Sequence, residues 1–579
     1  MIAIYCFSEN LIWLLQKNKY LLVTSSIVIL YISFMMGTYH HRSGGHFDFA
    51  LMWDNFSEAF TKEGMGVIYD TFKVRDWRHS WIFAFVLTLL QWRFKLFSRV
   101  KPQHHFKVLG LIILQVLIIV SPWHVYDEIT SFQQSAYRYF YPEDFQTKMS
   151  KQLYKQSKYP FAKIIKANSS SRDLPNIFIV FMESFNANVV DKEMNGKELT
   201  PYFNKLKTEG IYLENFYANS IQTSKGHMAS FCSLIPLVQG KINYLIDGLE
   251  LNCLPEILKG HGYHNYFFQG YHDLNFDNSF NFFKSIGFNH VVAMNPPLVT
   301  PDEFNKYRWG WGIQDNITYR KVFHVLDEHF SNNEEKPVFA AVATISNHTK
   351  FRDIPTQQHY IFSNPQDMRE RYANSVRVAD EYLKTFFVEL KRRKLDANSI
   401  VIITGDHSFP FGEHDNFNNQ SFAYEENFKT PFLILLPEKM SVPVSKNVNK
   451  LAYSQLDTAP TILDLLGIKS SNHFLGSSIF NNEQIARDIF LVQPYDGTYV
   501  GVINWPYKYL LHLRSKREFL YNLKKDNRED INLINSGIHA LSHLREKIGI
   551  IFLNQKLATE NKFWPKSDEI KKLSESVVR

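Results

Sequence analysis

Apolar positions in this chain follow two regimes. In the first 125 residues they gather into three long runs, at about 20–38, 81–97 and 108–123. The run at 20–38 carries no charged residue, and at about 1.5 Å rise per residue it is long enough to cross a bilayer as a helix. The second contains Arg93 and Lys95 near its end, placed to reach the interface, and the third is short, aliphatic and closed by Trp123. A cleavable leader fits the first run poorly, because two further runs follow and no small-residue cleavage site stands after Gly37. Lys17 and Lys19 precede the first run, while Arg93, Lys95, Arg99, Lys101 and Lys107 crowd the loop between the second and third. Both clusters belong on the cytoplasmic side by the positive-inside rule, which puts everything after Trp123 on the outer side. Residues 39–78 then form an outer loop, whose Phe47, Phe49, Leu51, Met52 and Trp53 suit the membrane surface.

Beyond residue 174 the pattern changes to short apolar runs alternating with helical periodicity. Runs at 177–182, 338–345, 400–404, 431–437 and 489–492 are continuous rather than alternating, as expected of strands buried on both faces of a largely parallel sheet. Helices are expected after Thr200-Pro201, at 224–234, at 315–329, and at 367–393, where Tyr372, Val376, Ala379, Leu383, Phe386, Phe387 and Leu390 keep helical spacing. The expectation is an α/β fold, a mostly parallel central sheet flanked by helices, preceded by an N-terminal helical transmembrane region at 1–125. A tether at 126–173 leads into a catalytic domain at 174–535, and 536–579 reads as a helical tail.

Composition narrows this little further. Lys and Arg number 64 against 57 Asp and Glu, a mixed surface without a basic stripe, so no nucleic-acid partner is expected. Three cysteines in 579 residues exclude a disulfide framework. Cys232, inside an apolar stretch, reads first as a buried thiol, with a bridge to Cys253 the alternative.

The chemistry lies at the ends of the apolar runs. Glu183 ends the first strand, Asn347-His348 follows another, and Asp406-His407 follows a third after Gly405, which is expected to let the backbone turn sharply. In an open α/β sheet ligands bind beyond the carboxyl ends of the strands, so these sets converge on one edge. Carboxylates plus imidazole make a partial shell for a divalent metal, and Thr223 at a helix start offers a hydroxyl that both the metal and the helix dipole would activate. Each residue also has a plain reading: Glu183 as a surface or capping carboxylate, Thr223 as a helix cap, His348 as a neutral core histidine. His272, in Gly270-Tyr271-His272-Asp273, and His414 are weaker substrate-facing candidates.

The strings Asn176-Ile177-Phe178-Ile179-Val180-Phe181-Met182-Glu183-Ser184-Phe185, Gln222-Thr223-Ser224-Lys225-Gly226-His227, Ser346-Asn347-His348 and Gly405-Asp406-His407 resemble the lipoteichoic acid synthase-like branch of the sulfatase/alkaline phosphatase superfamily. Lys429-Thr430-Pro431-Phe432 and the stretch from Asp457 to Gly467 are similar to it as well. The resemblance implies an alkaline phosphatase/sulfatase-like fold and one divalent metal (Mn, Mg or Zn) held by Glu183, Thr223, Asp406 and His407. It also implies a phospho-threonine intermediate at Thr223 and substrate contact by His348; Asn347, at the same strand end, and His272, the weakest of the three, join it as substrate-binding candidates on their place in the sequence. The implied partners are a phospholipid donor, a glycan or lipid acceptor and the membrane. The implied place is the cytoplasmic membrane of a bacterium, multi-pass, with the catalytic domain outside. The synthases carry histidine, tryptophan and arginine in the stretch matching 268–279, where this chain has Gln269, Phe276 and Asn278. Cys253-Leu254-Pro255-Glu256-Ile257 lacks the arginine of the formylglycine motif, which turns the expected ester from sulfate to phosphate. Two alternatives stay open: a phosphodiesterase or other hydrolase of the same superfamily, and a non-catalytic scaffold on the same fold.

Overall fold

Seven strands build the main sheet of the computed structural model, which describes residues 36–37, 39, 47–54, 56, 128–142, 145–165, 174–331, 336–440, 442, 451–481 and 487–570. In chain order they are β1 (Asn176–Met182), β2 (Ile211–Leu213), β3 (His264–Gln269), β4 (His290–Ala293), β5 (Val338–Ala343), β6 (Ser399–Gly405) and β7 (Phe432–Leu435), arranged β2-β7-β6-β1-β5-β3-β4. Strands β6, β1, β5, β3 and β4 are mutually parallel. Strand β7 runs antiparallel to β6, and β2 antiparallel to β7. The central β1 is buried at every position, so a continuous apolar run, not an alternating one, satisfies both faces.

Those faces make two cores. Phe178, Val180 and Met182 point into one, closed by helices α4 (Pro201–Lys207), α8 (Asp315–Ser331) and α9 (Met368–Arg392), with Phe178 against Phe323 and Phe386 at ring separations of 5.9 and 5.7 Å. Ile177, Ile179 and Phe181 point into the other, under α5 (Thr223–Cys232), α6 (Leu254–Gly260), α7 (Ser279–Ser285), α10 (Thr458–Leu465) and α11 (Ala540–Thr559). Cys232 is not a free thiol: it is bonded to Cys253, joining the end of α5 to the start of α6 across 21 positions.

Sequence pattern and structure differ at three places. The run at 489–492 belongs to a separate antiparallel sheet of four strands, β8 (Asp488–Gln493), β9 (Tyr499–Asn504), β10 (Tyr507–His512) and β11 (Glu518–Asn522). An apolar run specifies burial, not strand direction, so pattern alone did not reveal the reversal at β7 either. Within the main sheet β2, β3 and β4 are not foreseen: β2 is three residues long, and β3 and β4 open on polar residues, His264-Asn265 and His290, with His264 Nε2 and His290 Nε2 2.9 Å apart.

The expected spans at 20–38, 81–97 and 108–123 lie outside the described residues, apart from Met36 and Gly37. Among the described residues no helix is long and apolar enough to cross a membrane. Helices α1 (Phe49–Asp54) and α2 (Glu128–Phe140) pack together, with the Phe49 ring 5.4 Å from that of Phe140. A buried ion pair fixes them to the C-terminal sheet. Asp48 Oδ2 lies 2.9 Å from Arg514 Nη2 and accepts from Gly497 N, and Arg514 Nη1 donates to Ser131 Oγ. Helix α3 (Lys148–Gln156) lies against α11, where Thr147 Oγ1 donates to the Glu546 carbonyl and Met149 N to the Glu546 carboxylate.

Candidate active site

The carboxyl ends of β6, β1, β5 and β3 meet at one edge of the sheet, and the polar sets found in the sequence gather there. Glu183 follows β1 and Asp406-His407 follows β6; all three are buried, and the potential ligand atoms of the three side chains lie within 4.8 Å of one another. His407 Nε2 stands 3.6 Å from Glu183 Oε1 and 3.6 Å from Asp406 Oδ2. The other ring nitrogen, Nδ1, is 2.9 Å from the Ser408 carbonyl. A proton on Nδ1 donated to that carbonyl leaves the Nε2 lone pair aimed between the carboxylates.

Ser184 ties the two strand ends together. Its backbone N–H donates to Asp406 Oδ1 at 2.9 Å and its hydroxyl to Glu183 Oε1 at 2.6 Å, and it holds φ at +53°, a conformation serine seldom adopts. Asn347 Nδ2 donates to the carbonyls of Glu183 and Ser184, so Asn347 braces this turn from behind. Asp315 braces the next loop: its carboxylate accepts the N–H groups of Ile345 and Ser346, and burial raises it to about 6.

Thr223 is the first residue of α5, a helix that rests directly on the Asp406 turn. A Cβ on Gly226 would fall 1.9 Å from the Asp406 carbonyl oxygen, and Gln455 Nε2 donates to that oxygen and to the Gly405 carbonyl. Gly405 is needed for a different reason from the one expected. It is absent from the positive-φ glycines, and the constraint is the Thr430 hydroxyl, 2.2 Å from where its Cβ would stand.

Charge at the site is unbalanced. Burial, and then the Asp406 carboxylate, push Glu183 well above the usual carboxylate range. Burial also opposes ionisation of Asp406, yet the imidazoles of His407 and His227 and the Thr223 hydroxyl hold it below its ordinary value. Asp406 Oδ2 is buried and has no protein hydrogen-bond partner. Two facing carboxylates with an orphaned oxygen and a directed imidazole lone pair are a donor set that fits a divalent cation.

A cleft enclosing about 650 Å³, its open mouth included, leads to this set. Glu183, Thr223, His227 and His348 line its floor, and Tyr271, Phe276, Asp277 and Trp311 its walls. His348 Nδ1 lies 2.9 Å from the Thr349 carbonyl, the Trp311 ring is 5.0 Å away, and burial lowers its pKa. His227, weighed in the sequence with His264 and His272 as a possible substrate contact, also reaches the cleft: burial lowers it to about 4, and its Nε2 has no protein partner. Gln269 and Phe276 also line the cleft, whereas Asn278 donates to the Asn243 carbonyl. His272 is not among the lining residues, its ring lying 5.2 Å from that of Phe304. His414 lies elsewhere, stacked on Tyr424 and paired with Glu426 at 2.9 Å. Ser184, Gln455 and Asp315 were not singled out in the sequence; their roles depend on loop geometry, which leaves no periodic signal.

A family model described as Sulfatase matches residues 175–468, a little over half of the chain. A second, described as N-sulphoglucosamine sulphohydrolase, C-terminal, matches 412–549. Among curated proteins, a lipoteichoic acid synthase-like protein of Bacillus subtilis is 25% identical over 387 residues, 63% of this chain and 58% of its own length. A lipoteichoic acid synthase of Staphylococcus aureus is 28% identical over 324 residues, 53% of this chain and 47% of its own length. The chain thus spans about half the length of the curated relatives it matches. Among solved structures, the lipoteichoic acid synthase LtaP of Listeria monocytogenes superposes with a TM-score of 0.54 at 20% identity, over 74% of this chain and 98% of that one. A Vibrio parahaemolyticus protein of the alkaline phosphatase superfamily superposes at 0.56 with 21% identity, over 72% and 97%. At these identities the superpositions establish the fold, an α/β architecture with a mostly parallel central sheet.

Proposed function

This chain belongs to the sulfatase family and is an enzyme of the alkaline phosphatase superfamily, and from that premise we propose that it is a membrane-anchored phosphotransferase. In this reading it moves a phospho-alcohol head group, phosphoglycerol or phosphoethanolamine, from a phospholipid to a glycan or lipid acceptor. Residues 174–535 would carry the chemistry outside the cytoplasmic membrane, with 1–125 as anchor, 126–173 as tether and 536–579 as a helical tail. Two curated relatives carry the name lipoteichoic acid synthase or synthase-like, which supports a transfer that builds a lipid-linked product over simple hydrolysis. The observation that carries the reading is the buried Asp406 Oδ2, orphaned between Glu183 and the Nε2 of His407.

Glu183, Asp406, His407 and Thr223 would hold one divalent metal. Bound there, the metal would supply Lewis-acid chemistry, lowering the hydroxyl pKa of Thr223 and offsetting charge on the phosphate. Thr223 opens a ten-residue helix, so the first-turn N–H groups and the helix dipole favour an anion at the same point. Thr223 Oγ attacks phosphorus, the bond to the diacylglycerol oxygen breaks, and that oxygen leaves with a proton. The acceptor hydroxyl then displaces Thr223 Oγ, which regains its proton. His348 and His227 present neutral imidazoles to the phosphate, and Asn347 holds the Glu183 turn in place. A threonine cannot become a formylglycine, which supports a phosphate ester over a sulfate ester.

Incubating the full chain with a total lipid extract and weighing the Thr223 peptide by mass spectrometry tests this reading. A head-group phosphate adduct on Thr223, absent in Thr223→Ala, is expected. Full turnover of a fluorescent phospholipid by Thr223→Ala would refute it.

A further inference from the structure

Large apolar side chains at the surface are unevenly spread: five of the twelve among the described residues, Trp53, Phe56, Tyr137, Phe140 and Tyr141, sit on or beside α1 and α2. They form two ring groups, Trp53 with Phe56 and Phe140 at 6.4 and 6.2 Å and Tyr137 with Tyr141 at 5.1 Å between ring centres, and Phe140 and Tyr141, adjacent in sequence, are 58% and 67% exposed. A patch this aromatic costs hydration free energy unless something covers it. A second exposed apolar group, Tyr244, Leu245 and Phe280, stands beside Asn243, Asp277 and Ser279, which line the cleft. The two halves of this rim are joined by hydrogen bonds from Asn278 Nδ2 to the Asn243 carbonyl and from Asn243 Nδ2 to the Asp277 carbonyl. One short segment links patch to rim. Gln239 Nε2 donates to the Arg138 carbonyl on α2, and Leu245 lies six positions further along.

We propose that the α1–α2 aromatic patch and the Tyr244–Leu245–Phe280 rim form one seating face for a phospholipid bilayer surface, which brings the cleft mouth against the head groups. The inference rests on the membrane-anchored reading above. Three features favour lipid as the occupant. The apolar run at 20–38 lies shortly before α1 and that at 108–123 shortly before α2, so the patch stands where the chain meets two of its predicted spans. Its composition of Trp, Tyr and Phe is that of the aromatic belts at membrane–water interfaces. Finally, the buried Asp48–Arg514 pair holds the patch rigidly against the C-terminal sheet, so seating it also sets the height of the cleft.

The test uses the full chain with Cys6→Ser, leaving the Cys232–Cys253 bridge intact, reconstituted in vesicles of phosphatidylglycerol and phosphatidylethanolamine with brominated acyl chains. A fluorophore is placed at Leu245→Cys, at Phe140→Cys, or at the exposed control Val388→Cys on α9, which covers the opposite face of the sheet. For side chains held about 5–10 Å into the headgroup/acyl boundary, the first two probes should lose roughly half of their emission or more, and the control almost none. Adding Trp53→Ser with Phe140→Ser should remove quenching from the Leu245 probe. Equal emission at Leu245 and Val388 overturns the proposal, as does a Leu245 probe indifferent to loss of the patch. Copy-to-copy crosslinking of Phe280→Cys without lipid quenching would assign the face to a second copy and overturn it too. The readout needs no turnover, so a missing Thr223 adduct with quenching retained counts against the proposed reaction and not against the seating face.

Discussion

Replacing Gly226 with alanine should destabilise this protein although the site is helical. In an exposed helix interior, Gly→Ala gains about 1 kcal/mol from propensity. Here the added methyl would stand 1.9 Å from the Asp406 carbonyl oxygen, 2.9 Å from its carbonyl carbon and 3.0 Å from Gln455 Nε2. Two of those atoms are backbone on the β6 turn, and the third is held by its bonds to Gly405 and Asp406, so no flexible side chain can give way. Restoring a contact of about 3.5 Å requires α5 and the Asp406 turn to part by roughly 1.5 Å. Overpacking costs about 1–3 kcal/mol, and an approach of 1.9 Å to a backbone oxygen belongs in the upper part of that range, above the propensity gain. Thr223, the proposed nucleophile, is on the same turn of the helix, and a misplacement of about 1 Å at a reacting group costs on the order of 10²-fold in rate. Gly260 is the control: it ends α6, and its Cβ would meet nothing within 4 Å. Denaturant unfolding of both variants, with the Thr223 adduct measured in parallel, should show Gly226→Ala less stable by about 1–2 kcal/mol and nearly inactive, and Gly260→Ala neutral or more stable. A Gly226→Ala protein as stable and as active as the parent would refute the packing argument.

Three further outcomes follow from other parts of the molecule. Glu183→Gln removes one of two facing buried carboxylates, so the metal-free protein should gain stability while losing the shift in melting temperature on adding Mn²⁺, Mg²⁺ or Zn²⁺. For the parent that shift should correspond to about 2.7 kcal/mol at a hundredfold excess over Kd. Reducing Cys232–Cys253, or replacing both with alanine, frees a 21-residue loop and should cost about 3 kcal/mol in denaturant unfolding. His473 is wholly buried, accepts a hydrogen bond from Asn252 N, and is pushed by burial down to about 3. A depressed folded pKa means its contribution is complete above about pH 6.5 and disappears as pH falls towards about 3, of order 5 kcal/mol in all. Acid titration of stability should therefore be shallower in His473→Gln over that window, and an unchanged slope would count against the assignment.

The site was legible in the sequence to the extent that it depends on strand ends. Glu183, Asp406 and His407 follow continuous apolar runs, and a run buried on both faces of a parallel sheet fixes where its last residue emerges, so their meeting was foreseeable from pattern alone. His348 reached the cleft by the same logic. His272 follows β3 too, but the Tyr271–Asp273 turn carries its ring away towards Phe304, and a turn's direction is set by contacts the sequence does not display. The same limit hid Ser184, whose left-handed backbone links both carboxylates, and Gln455, which reaches the Asp406 turn from 49 positions away. Local pattern also read Gly405 as a turn residue, when its constraint is a hydroxyl arriving from Thr430. The disulfide was undecidable for a related reason, since separation in sequence says nothing about whether two Cβ atoms face each other.

The strand order has a consequence in time as well as in space. Strand β1 is made first, yet its neighbours β5 and β6 come much later: Glu183 N bonds a side chain 161 positions on, and Ser184 N one 222 positions on. Until the ribosome has passed His407, Glu183 and Thr223 have no partners to complete their site, and a growing or truncated chain is chemically silent. Long-range parallel pairing also closes slowly. The site can therefore assemble only after its cleft walls, Tyr271, Phe276, Asp277 and Trp311, have been made, and its brace Gln455 comes later still.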